Sequence, residues 1–241
     1  MYHSMYIGDK NTWDDYALIP QNKIYFPIAN QKTQMVEIEG ASGSLDFSNY
    51  LTGYPIYSNR TGSITFYLLD AVDARTISNS GYPYPQNYTF YDIFDKIRAD
   101  LNGIQAKIWL EDDPDYYYEG RINVTTTMAS PRPTIVISYN ISPYKIAKNP
   151  VAWDLNGLGS MVARQIIPAE LAIMPVSLKF TLTGATSTIK FTCPMTGIEE
   201  ARSFAPGTYD IYEWVIAGET EILLTAAVGT TLHIEYNPGR L

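Results

Sequence analysis

Cysteine is almost absent from this 241-residue chain. Cys193 stands alone, which excludes an intrachain disulfide framework and a cysteine-rich metal site. Histidine is nearly as scarce, with His3 and His233 at opposite ends, so a triad or zinc centre would rest on a single imidazole. Charged residues are only 17% of the chain and leave a net charge of −8. Residues 1–149 carry 12 basic and 16 acidic side chains, and residues 150–241 carry 5 and 9. With so few Lys and Arg, phosphate neutralisation cannot drive strong nucleic-acid binding. Long apolar runs are missing as well. No window approaches the ~20 apolar residues of a membrane helix. No basic start followed by an apolar run marks a signal peptide, and synthesis in a cytosol is expected. G-x-S-x-G, Walker and G-x-G-x-x-G motifs are absent, so no catalytic residue, metal or cofactor is assigned.

Apolar residues reach 46%, enough for a sizeable core, and 20 Tyr accompany 16 Gly and 15 Pro. That mixture favours short strands and many turns, hence a mainly β chain. Residues 23–28 and 34–39 read as strands, and 54–69 as a hairpin turning at Asn59–Gly62. Residues 76–89 read as a loop ending at a helix signal. Thr89 and Asp92 form a capping box, Phe90, Ile93, Phe94, Ile97 and Leu101 recur at helical spacing, and Asn102-Gly103 is the stop. Two strands, 104–110 and 116–125, flank an acidic turn, and 133–142 alternates cleanly. The texture changes near residue 149. Beyond it, strands at 175–183, 187–193, 209–216, 220–227 and 230–236 alternate with glycine corners, the pattern of a β-sandwich.

The one carboxylate cluster is Glu111, Asp112, Asp113, Asp115 and Glu119. It could gather calcium or, as a carboxylate pair, hydrolyse a glycan, but its place at a hairpin tip favours plain solvation. Tyr212 and Trp214 could offer an aromatic platform to a sugar, although alternate residues of a strand usually pack inward. Ser42-Gly43 lacks a companion base and reads as a structural turn.

Three separated stretches share a pattern with a known family. They are Gly8–Pro20 (G-x-x-N-T-W-x-D-Y-x-L-I-P), Met35–Ser48 (V-x-I-x-G, then G-x-L-D-F-S) and Leu51–Arg60 (L-T-G-x-P-x-Y-x-N-R). A fourth landmark, Ile141-Ser142-Pro143-Tyr144-Lys145, falls where that family closes its first domain. In this order they resemble the distal tail protein of long-tailed, non-contractile bacteriophages, the baseplate hub of the tail tip.

The resemblance implies an α+β hub domain over 1–149, a β-sandwich with one helix and hairpins, followed by a galectin-like β-sandwich over 150–241. It implies a structural, non-enzymatic virion protein at the distal tail tip, made in the host cytoplasm. Six copies would form a ring joining the tail tube protein to a tail-associated lysin or tail fibre protein. The tape measure protein and a receptor-binding protein would be further partners, and DNA would pass without specific binding. A cyclic ring needs a heterologous interface. Trp13, Tyr16, Leu45, Phe47, Leu51, Tyr54, Tyr57 and Arg60 are the expected suppliers. Some of Asp9, Asp14, Asp15, Asp46 and Asp112 are expected to face the channel. The alternative is a carbohydrate-binding β-sandwich module acting in cell-wall adhesion through Tyr212 or Trp214.

Overall fold

The computed structural model of the chain describes residues 4–40, 42–68, 89–127 and 134–241. The 76–88 segment and His3 lie outside them. The fold is mainly β. In chain order the first strands are β1 (Met5–Ile7), β2 (Lys10–Asn11), β3 (Leu18–Pro20), β4 (Met35–Glu37), β5 (Ser44–Asp46) and β6 (Arg60–Leu68). Helix α1 (Phe90–Leu101) precedes β7 (Gln105–Leu110), β8 (Tyr116–Thr127), β9 (Thr134–Ile141) and β10 (Lys145–Ala147). The remainder is β11 (Val151–Asn156), β12 (Ala163–Ile167), β13 (Val176–Thr183), β14 (Ser187–Cys193), β15 (Ile198–Phe204), β16 (Gly207–Ile216), β17 (Thr220–Thr225), β18 (Thr231–Tyr236) and β19 (Gly239–Arg240).

Two compact units share the chain, and neither is contiguous. One is Met1–Asn30 with Ser58–Lys145, the other Gln31–Tyr57 with Ile146–Leu241. The chain crosses over after Lys145, close to the expected break near 149. A single body over 1–149 is not what forms, because Gln31–Tyr57 leaves the first unit and joins the second.

In the first unit the strands run β2-β1-β7-β8-β9-β6-β3 in one antiparallel sheet. Helix α1 packs on this sheet, chiefly against β8. Both halves of the capping box form: Asp92 N–H donates to Thr89 Oγ1 at 3.3 Å, and Thr89 N–H donates to Asp92 Oδ2 at 2.8 Å. Ile93, Ile97 and Leu101 fall on one stripe and are buried, on a core shared with Phe66, Ile108, Ile122 and Ile137. The expected hairpin at 54–69 does not form, and Arg60–Leu68 is a single strand. Arg60 through Tyr67 pair with Ile141 through Thr134, so Arg60–Gly62 is drawn into a long-range ladder and does not turn. Residues 23–28 form no strand either. Ile24 is buried and Phe26 packs edge-on against Tyr118 and Tyr139, with centroids 4.9 and 5.0 Å away.

The second unit contains two four-stranded antiparallel sheets, β11-β18-β13-β16 and β12-β17-β14-β15. Alternation aims Leu178, Phe180 and Ile234 from one sheet, and Ile189, Phe191 and Ile222 from the other, into a common core. Strands β11, β12 and β15 add to those expected. β15 leaves little mark in the sequence because Glu199, Glu200 and Arg202 interrupt its apolar pattern. Those charges find partners at the sheet surface: Lys190 reaches Glu199 across the strands at 2.5 Å, and Arg202 pairs with Glu200 at 2.7 Å.

Candidate docking surface

Residues Gln31–Tyr57 form a closed excursion. Its two ends are tied by the Gln31–Tyr57 bridge and by Lys32 N–H donating to Ile56 C=O at 2.7 Å. Within it, β4 and β5 form a two-stranded hairpin in the register Met35–Asp46, Val36–Leu45, Glu37–Ser44. Phe47 N–H donates to Gln34 C=O (2.8 Å), and Ser48 Oγ accepts from Gln34 N–H (2.8 Å), closing the base. Ser48 also donates to Asp46 from both its amide and its hydroxyl, which holds the Asp46 carboxyl below the usual carboxylate range.

Every residue of β4 and β5 is exposed. A soluble hairpin normally buries one face, since two strands alone are marginal in water. Here Met35, Val36, Ile38, Leu45 and Tyr50 all meet solvent, and Leu51 is 92% exposed. Phe47 is half-buried and edge-on to Tyr50. Apolar side chains are thus concentrated, uncovered, on a two-stranded hairpin.

The other end of the excursion is anchored. Tyr54 packs against the core of the second unit. Gly53 comes so close that a Cβ on it would lie 2.3 Å from Met195 O. Tyr54, Pro55 and Tyr57 line one side of an apolar cavity of about 230 Å³, with Ile173, Met195 and Leu241 opposite. The segment is therefore fixed at residues 53–57 and bare at residues 35–51.

The eight expected docking residues thus divide. Leu45, Phe47 and Leu51 sit on the bare part, and Tyr54 and Tyr57 on the anchor. Tyr16 is only 1% exposed, its hydroxyl donating to Asp100 Oδ2 at 3.0 Å. Burial and that carboxylate push its ionisation far up, and it is a core residue. Trp13 packs on Ala17 inside a tight turn, where Asn11 Oδ1 accepts from the Trp13 amide. Arg60, 4% exposed, faces inward. Its Nε and Nη1 donate to the carbonyls of Pro143 and Pro27, both at 2.8 Å, and its guanidinium lies 5.1 Å from the Tyr118 ring centre. Arg60 clamps two loops and is unavailable for docking.

Trp214 is also removed from the candidates. It is 0% exposed, stacked on Phe191 at 5.4 Å, with Nε1–H donating to Glu200. Tyr212, two residues earlier, is 75% exposed. The acidic cluster does not converge. Glu111 accepts from Ser4, Asp112 lies 3.9 Å from Lys23, and Asp113 holds Lys145 at 2.6 Å. No group of three or more His, Cys, Asp or Glu among the described residues is arranged to hold a metal. Of the expected channel residues, Asp9 and Asp14 are exposed, while Asp15 accepts the Asn11 amide at 2.7 Å.

Neither a protein-family model nor a curated protein matches the chain. Among solved structures it is similar to the SPP1 Dit protein (gp 19.1), described as a paradigm of the hub adsorption apparatus in phages that infect Gram-positive bacteria. The match covers 98% of this chain and 99% of that one, with a TM-score of 0.56 at 11% identity. The two proteins share a fold from end to end.

Proposed function

We propose that this chain is a structural hub protein of a phage tail tip, acting by assembly rather than catalysis. The observation that carries the reading is the end-to-end fold shared with a hub adsorption protein. The bare hairpin supports it, because an assembly protein has reason to leave apolar surface uncovered until neighbours arrive. In this reading six copies close a ring by heterologous contacts, with Leu45, Phe47, Tyr50 and Leu51 engaging the adjacent copy. The second unit is a galectin-like sandwich carried on the ring.

The ring joins the tail tube protein on one side to a tail-associated lysin or fibre protein on the other. The tape measure protein and a receptor-binding protein complete the set of partners, and the site of action is the virion's distal tail tip. A net charge of −8 per copy is consistent with a central passage that DNA crosses without adhering. Light scattering on the protein, alone and mixed with tail tube protein, tests the reading. A species near six times 27.1 kDa with a central hole in negative stain is expected. A chain monomeric under both conditions would refute it.

A further inference from the structure

Between β6 and the segment that follows β3, the first unit leaves a polar gap of about 310 Å³. Lys23, Tyr25 and Pro27 line one side, and residues 61–65 with Tyr139 line the other. Gln21 N–H donates to Thr65 C=O at 2.9 Å, and that bond fixes the parity of the strand. In an antiparallel ladder the N–H and C=O of one residue point the same way, and successive residues alternate. Thr61 and Ser63 therefore aim both groups away from β9 and toward the gap. None of these four groups has a backbone partner among the described residues.

The gap is built into the fold. Arg60 Nη1 donates to Pro27 C=O and Ser58 N–H to Asn30 C=O, both at 2.8 Å. With Gln21 at the other end, the facing segment is tied on either side of the bare stretch. In between, Ile24 is buried and Phe26 packs on the core, which holds the segment off the strand. Gly62 lies opposite Tyr139, and a Cβ on it would meet the phenol oxygen at 2.5 Å. The missing side chain lets Tyr139 reach across β6 to the wall of the gap. Natural sheet edges are guarded by charge, proline or a bulge. Thr61-Gly62-Ser63-Ile64-Thr65 carries none of these.

We infer that this gap is a docking site for a different protein, which inserts the extended tip of an acidic or uncharged loop and pairs it with β6. Free backbone groups at a sheet edge recognise another backbone. Length follows from the ties. Thr61 to Thr65 spans ~13 Å at ~3.3 Å per residue, and a longer strand would run into Gln21 at one end or Pro27 at the other. Charge follows from Lys23, the only charged side chain among the described residues that line the gap. Its side chain is 73% exposed and its pair with Asp112 is long, at 3.9 Å, so a closer carboxylate can replace it. Every residue involved belongs to the first unit, and the site rests neither on the 35–51 hairpin nor on the hub reading.

The test pans a yeast-displayed library of random decapeptide loops against the whole chain. Enriched loops should share an extended stretch free of Lys, Arg and Pro, with an Asp or Glu beside it. A synthetic copy of the most enriched loop should protect the Thr61 and Ser63 amides from hydrogen exchange. Ser63→Pro removes an amide that faces the gap and takes no bond from the β9 ladder, a place where a strand tolerates proline. It should weaken binding about tenfold, while Ser63→Ala, which keeps the amide, should bind as the parent does. The exchange readout on the parent chain stands whatever Ser63→Pro does to folding. No enriched loop, a bound loop that leaves Thr61 and Ser63 exchange unchanged, a preference for basic loops, or parental affinity in folded Ser63→Pro would each overturn the inference. Protection of the two amides that grows with protein concentration alone would also overturn it, since the occupant would then be a second copy.

Discussion

Replacing Gly53 with alanine should loosen the exposed 35–51 segment from the unit that carries it. Gly53 adopts φ of +75°, a region that costs an L-residue about 1–2 kcal/mol. The added Cβ would stand 2.3 Å from Met195 O and 3.1 Å from Thr196 Cα. Both are backbone atoms, so no side chain can rotate away, and the segment itself must lift. Overpacking of this kind costs about 1–3 kcal/mol, for a total of about 2–5 kcal/mol. Gly197→Ala is the matched control, with φ of +72° and open space around the new methyl. It should lose only the backbone component. Urea unfolding followed by circular dichroism compares the two variants, and hydrogen exchange at the Lys32 amide, bonded to Ile56 C=O, reports on the hairpin base. Gly53→Ala should be the less stable by about 1–3 kcal/mol, with faster exchange at Lys32. Equal stability of the two variants with Lys32 protection unchanged would refute the close approach on which the anchoring rests.

Arg60→Met removes the clamp on the Pro27 and Pro143 carbonyls and leaves both without their charged donor. Hydrogen bonds to charged groups contribute roughly 1.5–3 kcal/mol each, so thermal unfolding should drop by several degrees. A variant as stable as the parent would show that the clamp is dispensable. Leu51→Asp should leave the unfolding free energy within about 0.5 kcal/mol, because the side chain is solvated, yet abolish ring formation with tail tube protein; rings of normal mass would remove the hairpin from the interface. His233 carries a pKa raised above its usual value by its hydrogen bonds to Asp154 and then Glu235. The stabilisation is fully present below the unfolded-state pKa near 6.5 and is lost as pH rises through the raised folded value. His233→Gln should therefore narrow the gap in melting temperature between acidic and alkaline buffer, and an unchanged gap would refute the linkage. Trp214→Phe should destabilise by about 1–3 kcal/mol, since Glu200 loses the indole donor and the core loses volume; a neutral effect in urea unfolding would contradict its burial.

Local chemistry makes much of this chain legible from its residues. The α1 helix is readable because a capping box, an apolar stripe and an Asn-Gly stop all act within a dozen residues. Strand β9 is readable because the core needs its inner face apolar, and strict alternation records that. The features that escape such reading depend on distant partners. Arg60 looks like a turn residue beside Asn59 and Gly62, and only pairing with Ile141 draws it into a strand. Trp214 and Tyr212 share one strand parity, and a bulge opposite Ser177 sends one ring into the core and the other to solvent.

Sequence by itself determined the mainly β composition, the α1 helix, the acidic and cysteine-poor character and the stretches that resemble a tail hub. These depend on residue type and short spacing, which the chain states outright. Tertiary structure alone decided that Gln31–Tyr57 joins the second unit. It also decided that Tyr16 and Arg60 are buried, that the acidic cluster disperses among separate partners, and that the hairpin from Met35 to Leu51 is bare. Burial is a property of what lies across the gap, and a partner a hundred residues away leaves no periodic mark on the stretch that it covers.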